Sequence, residues 1–189
     1  DVQREIVAEI DGYQKIIDGA RQVVENWKPQ IEIDPNWIVV DLGELISAIT
    51  PPKKIQQSKF NTNGKYPIID QSQNDIAGYS NDEDAVIDFG SPLVVFGDHT
   101  CTVKYVDNPF VQGADGIKIL KVDERLLPKY LYFILKVNPI KSDGYRRHFS
   151  KLKETKIPLP PLEVQHEIVA RIEAERKVVD GCKELIALY

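Results

Sequence analysis

The sequence predicts an α+β fold in which a mixed, mainly β globular domain is flanked by two long helices of the coiled-coil type. The first 27 residues return at 163–189 with a constant offset of 162 and no gap, and ten of the 27 positions are identical. Between the copies, short β-type runs are separated by Gly, Pro and Asp, and one apolar helical run follows them. Because internal repetition dictates architecture, we interpret the copies as helical arms and the region between them as the variable part.

The first copy has the spacing of an amphipathic helix. Apolar side chains recur in alternating steps of four and three residues, at Ile6, Ile10, Tyr13, Ile17, Ala20, Val24 and Trp27. This spacing is the seam of a coiled coil, and two copies with one seam pattern indicate helices that pair with each other. In the second copy Glu175 stands where the seam has Tyr13. We expect this carboxylate at the wet edge of the seam or opposite a basic group.

The region between the arms predicts a compact, twisted sheet. Residues 37–45 (WIVVDLGEL) are expected to enter the domain as a strand, followed by a short helix to Ile49 that Pro51 and Pro52 end. A polar loop reaches Lys65. The later strand-type runs are YPIID at 66–70, AVIDF at 85–89, PLVVFG at 92–97, CTVKYV at 101–106 and GIKILKV at 116–122.

One further helix and a proline-rich segment complete the chain. Pro128 opens the run KYLYFILKV, which is too apolar for a surface and is expected to be buried against the sheet. The prolines of 157–162 force an extended chain, and the second arm begins at Glu163. We therefore divide the chain into a helix over 1–28, a globular domain over 36–157 and a second helix over 158–189.

The composition limits the class of protein. No run approaches 18 consecutive apolar residues and no signal sequence opens the chain, so we expect a soluble, cytoplasmic protein with no membrane contact. Cys101 and Cys182 form no CxxC pattern, and we expect both to be reduced and buried.

The net charge of −5 hides an asymmetry. Residues 1–41 carry four basic and nine acidic side chains, whereas 42–157 carry sixteen and fourteen. Within that region the cations cluster in two segments, 53–65 and 141–156. Two basic loops form a modest nucleic-acid footprint, although solvated loops without a ligand would have the same composition.

No residue pattern indicates catalysis. The three histidines share no metal-ligand spacing, so we predict neither a catalytic residue nor a metal site. Asp143, Glu154 and Lys156 loosely resemble the arrangement with which nucleases hold Mg²⁺. A Mg²⁺-dependent nuclease domain, and a structural helical adaptor that binds no DNA, therefore stay open as alternatives.

The positive signals favour DNA binding. Arginine can make bidentate contacts to guanine, lysine neutralises phosphate, asparagine pairs with adenine edges, and hydroxyls contact either bases or phosphates. Both basic segments and the turn at 97–100 present such side chains. The predicted DNA contacts are Lys53, Lys54, Lys59, Asn61, Lys65, His99, Thr100, Arg146, Arg147, His148, Ser150, Lys151 and Lys153.

The motif IPLPPLEVQHEIVARIE at 157–173 resembles the specificity subunits of type I restriction-modification systems, in which a proline-leucine segment precedes a Glu-x-Gln helix. WIVVDLGEL, the Gly97-Asp98 turn, QGADGIKIL and GYRRHFSKLKETK support the resemblance, which covers essentially the whole chain. It implies a fragment with one target recognition domain and its flanking conserved helical regions, which pack antiparallel.

The resemblance also implies a function and partners. The domain would read one half of a bipartite site in double-stranded DNA, and the paired helices would set the spacing to the other half. Methyltransferase subunits would dock on the conserved helices and flip the target adenine, and the restriction subunit would join the complex indirectly. This chain would need no cofactor, because S-adenosylmethionine, ATP and Mg²⁺ are expected only on the partner subunits.

Overall fold

The computed structural model describes residues 2–114, 116–144 and 146–189. The chain divides into a helical unit, made of the residues up to Gln30 together with Glu167–Tyr189, and a globular unit, Ile31–His166. The described helices are α1 (Val2–Asn26), α2 (Pro128–Val137), α3 (Phe149–Lys153) and α4 (Leu162–Ala187). A mainly β region therefore lies between two long helices, and the predicted fold class is confirmed.

In the helical unit, α1 and α4 run antiparallel. The indole Nε1 of Trp27 donates a hydrogen bond to Glu175 Oε2 at 3.2 Å, and the rings of Tyr13 and Tyr189 stack with their centroids 5.9 Å apart. Going back 14 positions in the first copy, from Trp27 to Tyr13, the partner lies 14 positions further on in the second copy, at Tyr189 instead of Glu175. Antiparallel helices have this relation. Arg171 holds the other oxygen of Glu175 at 3.0 Å. The carboxylate that interrupts the seam is therefore satisfied by an indole and a guanidinium.

The predicted seam is buried along only part of α1. Ile17 and Ala20 are buried, as are Ile168, Ile172 and Val179 of the second copy. Ile6, Ile10 and Tyr13 are 50%, 59% and 44% exposed, so the apolar stripe is covered only in the second half of α1. The periodicity alone could not show this, because it defines an apolar stripe without defining what covers it.

The described strands of the globular unit form three sheets. Strand β10 is central to an antiparallel sheet of order β2-β10-β7-β8, and β9 is central to a mixed sheet of order β3-β9-β4-β5 to which β6 is added; β1 pairs with β11. The bounds are β1 Ile38–Asp41, β2 Ile46–Ile49, β3 Lys54–Ile55, β4 Tyr66–Ile69, β5 Gly78–Ser80, β6 Val86–Ile87, β7 Leu93–Gly97, β8 Val103–Val106, β9 Phe110–Gly113, β10 Ile117–Val122 and β11 Lys156–Leu159.

The helix expected to end at Ile49 is a strand, so that prediction was wrong. A short 3₁₀ turn covers Leu42–Glu44, after which β2 pairs antiparallel with β10, with Ile46 opposite Val122 and Ile49 opposite Ile119. The local sequence permits either structure, and pairing with a distant strand decides between them.

The core lies between the two larger sheets. One buried cluster joins Ile69 of β4 and Phe110 of β9 to Val95 of β7 and Ile119 of β10. Helix α2 packs against β7 and β8, as its apolar composition predicts, and buries Tyr130, whose hydroxyl donates to the carbonyl oxygen of Pro158 at 3.0 Å. Burial raises the pKa of this phenol well above its ordinary value.

Gln165, at the start of α4, is fully buried and connects two segments of the globular unit. Its Oε1 accepts from the Leu127 amide at 2.8 Å, and its Nε2 donates to the carbonyl oxygens of Arg125 at 2.8 Å and Pro160 at 2.9 Å. One side chain therefore ties the turn before α2 to the proline-rich segment before α4.

Candidate nucleic-acid interface

The strongest basic feature of the described surface is the segment 141–153. It carries five lysine and arginine side chains against the single carboxylate of Asp143. Arg146, Arg147, Lys151 and Lys153 are all exposed. The described residues of this segment include no β-strand and only the short helix α3, so contacts with other parts of the domain must give them a defined conformation.

Asp98, in the turn after β7, provides those contacts. It is 4% exposed, and its Oδ1 accepts from the backbone amides of His148 at 3.0 Å and Phe149 at 2.8 Å. Its own amide donates to the carbonyl oxygen of Gly116 at 2.7 Å. The carboxylate thus caps the start of α3, and its backbone attaches the turn before β10.

His148 is buried among these contacts of Asp98, which corrects its prediction as a DNA contact. The side chain is 1% exposed, with Nδ1 3.1 Å from the Asp98 carbonyl oxygen and Nε2 2.7 Å from Asp143 Oδ1. The hydrogen bond from His148 holds the pKa of Asp143 below its ordinary value. Sequence reasoning grouped His148 with its cationic neighbours, but a side chain enclosed by protein cannot reach a ligand.

The turn at 97–102 is attached to Gln71, the second residue after β4. Thr100 Oγ1 donates to the carbonyl oxygen of Gln71 at 2.8 Å, and Thr102 Oγ1 donates to the same oxygen at 3.1 Å. A Cβ on Gly97 would lie 2.3 to 2.4 Å from these two hydroxyl oxygens, so the turn needs glycine at that position. The His99 ring then reaches the basic segment, with Nδ1 3.1 Å from the Arg146 carbonyl oxygen.

The ring of Phe149, whose amide is bound by Asp98, contacts two lysines. Lys118 of β10 and Lys153 of α3 place their ammonium groups 5.3 and 5.4 Å from the centre of its ring, within the range of cation–π attraction. Ser150 is exposed on the same helix. No sequence pattern groups Lys118 with the basic segment, because it lies on a strand more than 20 residues away.

The first basic segment, 53–65, has different surroundings. Lys53 forms an ion pair with Asp82, and Lys65 with Glu83 at 2.7 Å. The hydrogen bonds from these lysines lower the pKa of Asp82 and of Glu83. The same bonds raise the pKa of Lys53 and of Lys65. The acidic residues 82–84 therefore offset most of the charge that the sequence assigns to this segment.

The remaining predicted contacts of this segment are exposed. Lys54, Lys59 and Asn61 lie on the surface, and the backbone of Asn61 bridges to Tyr79. The segment is also linked to Asp98. The Ala114 amide donates to the Ile55 carbonyl oxygen at 2.7 Å, and the carbonyl oxygen of nearby Gly116 accepts from the Asp98 amide.

Sequence reasoning missed Asp98, Gln71 and Lys118 as parts of the site. The Gly-Asp turn between two strands was visible as a signal, but the hydrogen bonds of Asp98 span 50 and 51 residues and have no local pattern.

Cys101 and Cys182 are free, as predicted, but both are only partly buried, so the prediction of burial was wrong.

The described residues also bear on three other features: a metal site, a nuclease-like set of residues and a membrane-spanning helix. No group of three or more His, Cys, Asp or Glu side chains in this part of the chain could hold a metal ion. Of the residues with a nuclease-like spacing, Asp143 bonds His148, whereas Lys156 bonds Asp41 at 3.0 Å. None of the described helices has the length and apolar character that crossing a membrane requires.

Comparison with known proteins gives a consistent family. The family model for the type I restriction modification DNA specificity domain matches residues 35–180. The chain is 26% identical over 177 residues to the type I restriction enzyme EcoR124I/EcoR124II specificity subunit of Escherichia coli. The match covers 86% of this chain and 40% of that protein.

Solved structures share the fold at low sequence identity. The HsdS subunit from Thermoanaerobacter tengcongensis has a TM-score of 0.55 at 20% identity, over 97% of this chain and 49% of the other. The S subunit of a type I restriction-modification system from M. genitalium has a TM-score of 0.58 at 16% identity, over 97% and 52%. The chain thus spans about half the length of these proteins. From the match over 35–180, the chain belongs to the family of type I restriction-modification DNA specificity domains.

Proposed function

We propose that this chain recognises, in a sequence-specific manner, one half of a bipartite duplex DNA target and directs the methyltransferase and restriction subunits of a type I restriction-modification complex to it. The observation that carries the proposal is the basic segment 141–153, which a buried carboxylate fixes against two neighbouring turns. A DNA-reading surface needs cations in a defined geometry, because flexible cations bind phosphate without reading sequence.

The side chains of this segment divide by chemistry. Arg146 and Arg147 carry the guanidinium groups that can pair with a guanine edge in the major groove. Lys151 and Lys153 are suited to phosphates, and Lys118 joins them beside Phe149. Ser150 supplies an exposed side chain with a hydroxyl, whereas the hydroxyl of exposed Thr100 already donates to the Gln71 carbonyl oxygen. His99 completes the set next to Arg146.

The first basic segment has a secondary part in this proposal. Lys54, Lys59 and Asn61 extend the surface toward flanking phosphates or bases. Lys53 and Lys65 contribute less, because each is already held by a carboxylate that DNA phosphates would have to displace.

The two long helices are proposed as the platform for the partners. The near-duplicate arms would set the distance to the second half-site and present a surface to the methyltransferase subunits. Those subunits would bring S-adenosylmethionine, and the restriction subunit would bring ATP and Mg²⁺, so this chain would direct chemistry that it does not perform. A relative is known as the specificity subunit of a restriction enzyme, and a matching chain belongs to a structure that concerns complex assembly of the type I R-M system.

A selection experiment tests the proposal. The chain is incubated with duplexes of randomised central sequence, and its affinity for the enriched duplex is compared with that for a scrambled duplex of the same composition. Loss of one bidentate arginine costs about 1 to 3 kcal/mol on the enriched duplex and much less on the scrambled one. We expect this result for Arg146→Ala or Arg147→Ala.

The matched control is Arg21→Ala on α1, which removes an exposed arginine whose partner is Asp18 in its own helix. This variant should bind both duplexes as the unaltered chain does. If no sequence is enriched, or if the arginine variants lose equal affinity on both duplexes, the base-reading proposal is wrong.

A further inference from the structure

Asp98 is a buried carboxylate on which three separate surface segments meet. Its backbone amide donates to Gly116, its Oδ1 accepts from the amides of His148 and Phe149, and its carbonyl oxygen accepts from the His148 amide at 2.8 Å. The segments that it joins are the turn after β7, the turn before β10 and the basic segment 141–153. Asp98 is 4% exposed, whereas Arg146 and Arg147 are exposed.

The geometry makes Asp98 more than a cap for a short helix. Helix α3 has only five residues and cannot hold its own conformation, because isolated helices of this length are not stable in water. The exposed arginines at 146 and 147 come directly before the two amides that Asp98 binds. Their direction relative to the turn at 97–102 therefore depends on this carboxylate.

From this arrangement, which rests on the function proposed above, we infer that Asp98 is a positioning residue for DNA recognition: it sets the sequence preference by orienting Arg146 and Arg147 while touching no DNA itself. A residue of this kind changes the ratio of affinities for a preferred and a scrambled duplex. It differs from a residue that only neutralises phosphate, whose loss weakens binding to both duplexes alike.

Two simpler roles predict different results. If Asp98 only stabilised the domain, its replacement would lower the melting temperature but leave the affinities of the folded protein unchanged. If its negative charge only repelled DNA, replacement would raise the affinity for both duplexes. Positioning alone predicts a selective loss on the preferred duplex.

The experiment uses the full chain, the duplex enriched by the unaltered protein and a scrambled duplex of the same composition. For Asp98→Ala, the Phe149 amide loses its charged acceptor and the His148 amide keeps only its bond to the backbone carbonyl oxygen of residue 98, so we expect the preference ratio to fall about ten- to a hundredfold. Asp98→Asn keeps an oxygen acceptor of the same shape and should restore the ratio to within about threefold. If Asp98→Ala does not fold, Asp98→Ser, whose hydroxyl can still accept from one amide, takes its place.

A matched control is available in another turn. Asp123 accepts from the Arg125 amide at 3.1 Å, and Asp123→Ala should lower stability without changing the preference ratio. Amide hydrogen exchange gives a readout that needs no DNA, because residues 146–153 should exchange about tenfold faster in Asp98→Ala.

The outcomes separate this inference from the proposed function. If the unaltered chain prefers no duplex, the proposed function fails, and the role of Asp98 fails with it. If the unaltered chain is selective and Asp98→Ala keeps the full ratio, or loses affinity equally on both duplexes, the positioning role alone is overturned. A selective loss in Asp98→Ala that Asp98→Asn restores supports it.

Discussion

Replacing Gln165 tests how much one buried amide contributes to the globular unit. The side chain is 0% exposed and makes three hydrogen bonds, to Leu127, Arg125 and Pro160. With a net contribution of about 1 kcal/mol for each bond, Gln165→Ala should lower the free energy of unfolding by roughly 3 kcal/mol. Of the three backbone partners, Pro160 is buried, Leu127 is half-buried and Arg125 is exposed, so the loss is greatest at the Pro160 carbonyl, which water cannot reach.

The sequence repeat supplies the control. Gln3 occupies the same position in the first copy, on the same type of helix, but its side chain is exposed. Gln3→Ala should change the unfolding free energy by less than about 0.5 kcal/mol. The comparison removes any contribution from helix propensity, because both positions lie in the first turn of a long helix.

Tryptophan fluorescence during urea unfolding measures the effect. The chain has two tryptophans, and Trp27 lies in the helical unit whereas Trp37 lies in the globular unit. In a Trp27→Phe background the signal therefore reports the globular unit, in which Gln165 lies, and in a Trp37→Phe background it reports the helical unit, in which Gln3 lies. If Gln165→Ala costs less than about 1 kcal/mol, or no more than Gln3→Ala, the reasoning about buried hydrogen bonds is wrong.

Gln165→Glu adds a pH dependence with a defined sign. A carboxylate would face the two carbonyl oxygens that now accept from Nε2, so the folded state would favour the protonated acid and raise its pKa above the ordinary value of about 4.3. The folded state then binds more protons than the unfolded state, so stability should fall as pH rises through that window. The destabilisation should shrink when unfolding is measured below about pH 4, where the acid is protonated in both states.

Two further predictions use other contrasts within the chain. Ile172→Ala, at a fully buried position of α4, should destabilise the helical unit by about 2 to 5 kcal/mol, whereas Ile10→Ala, the same repeat position at 59% exposure, should cost less than about 0.5, as measured by Trp27 fluorescence. Asp82→Asn with Glu83→Gln frees two lysines of the first basic segment, so the affinity for a scrambled duplex should rise and its salt slope should steepen by up to about two. A salt slope that does not change would show that this segment does not face DNA.

Local sequence patterns predicted the elements that depend on periodicity. The alternating four- and three-residue spacing of the arms and the apolar run after Pro128 predicted α1, α4 and α2, and β-type runs bounded by turn residues predicted β4, β7, β8 and β10. These elements are detectable because each hydrophobic pattern lies within one continuous stretch of the chain.

Short strands without such a pattern were missed. Strand β9, Phe110–Gly113, is buried at the centre of the mixed sheet, yet its four residues carry no alternation that separates them from a turn. Parallel pairing with β3 and β4 gives it its conformation. The same reason explains β2, where pairing with β10 replaced the expected helix.

The order of helix, β domain and helix could be read from the sequence through its repeat, and so could the motifs of the family. Which charges are available to a ligand depends on contacts that form in the folded chain. Lys53 and Lys65 gain acidic partners, His148 is enclosed, and Asp98 is buried with its carboxylate bonded to two amides of the basic segment. Periodicity reports contacts between neighbours in sequence, whereas ion pairs and hydrogen bonds between residues far apart in the chain exist only after the chain has folded.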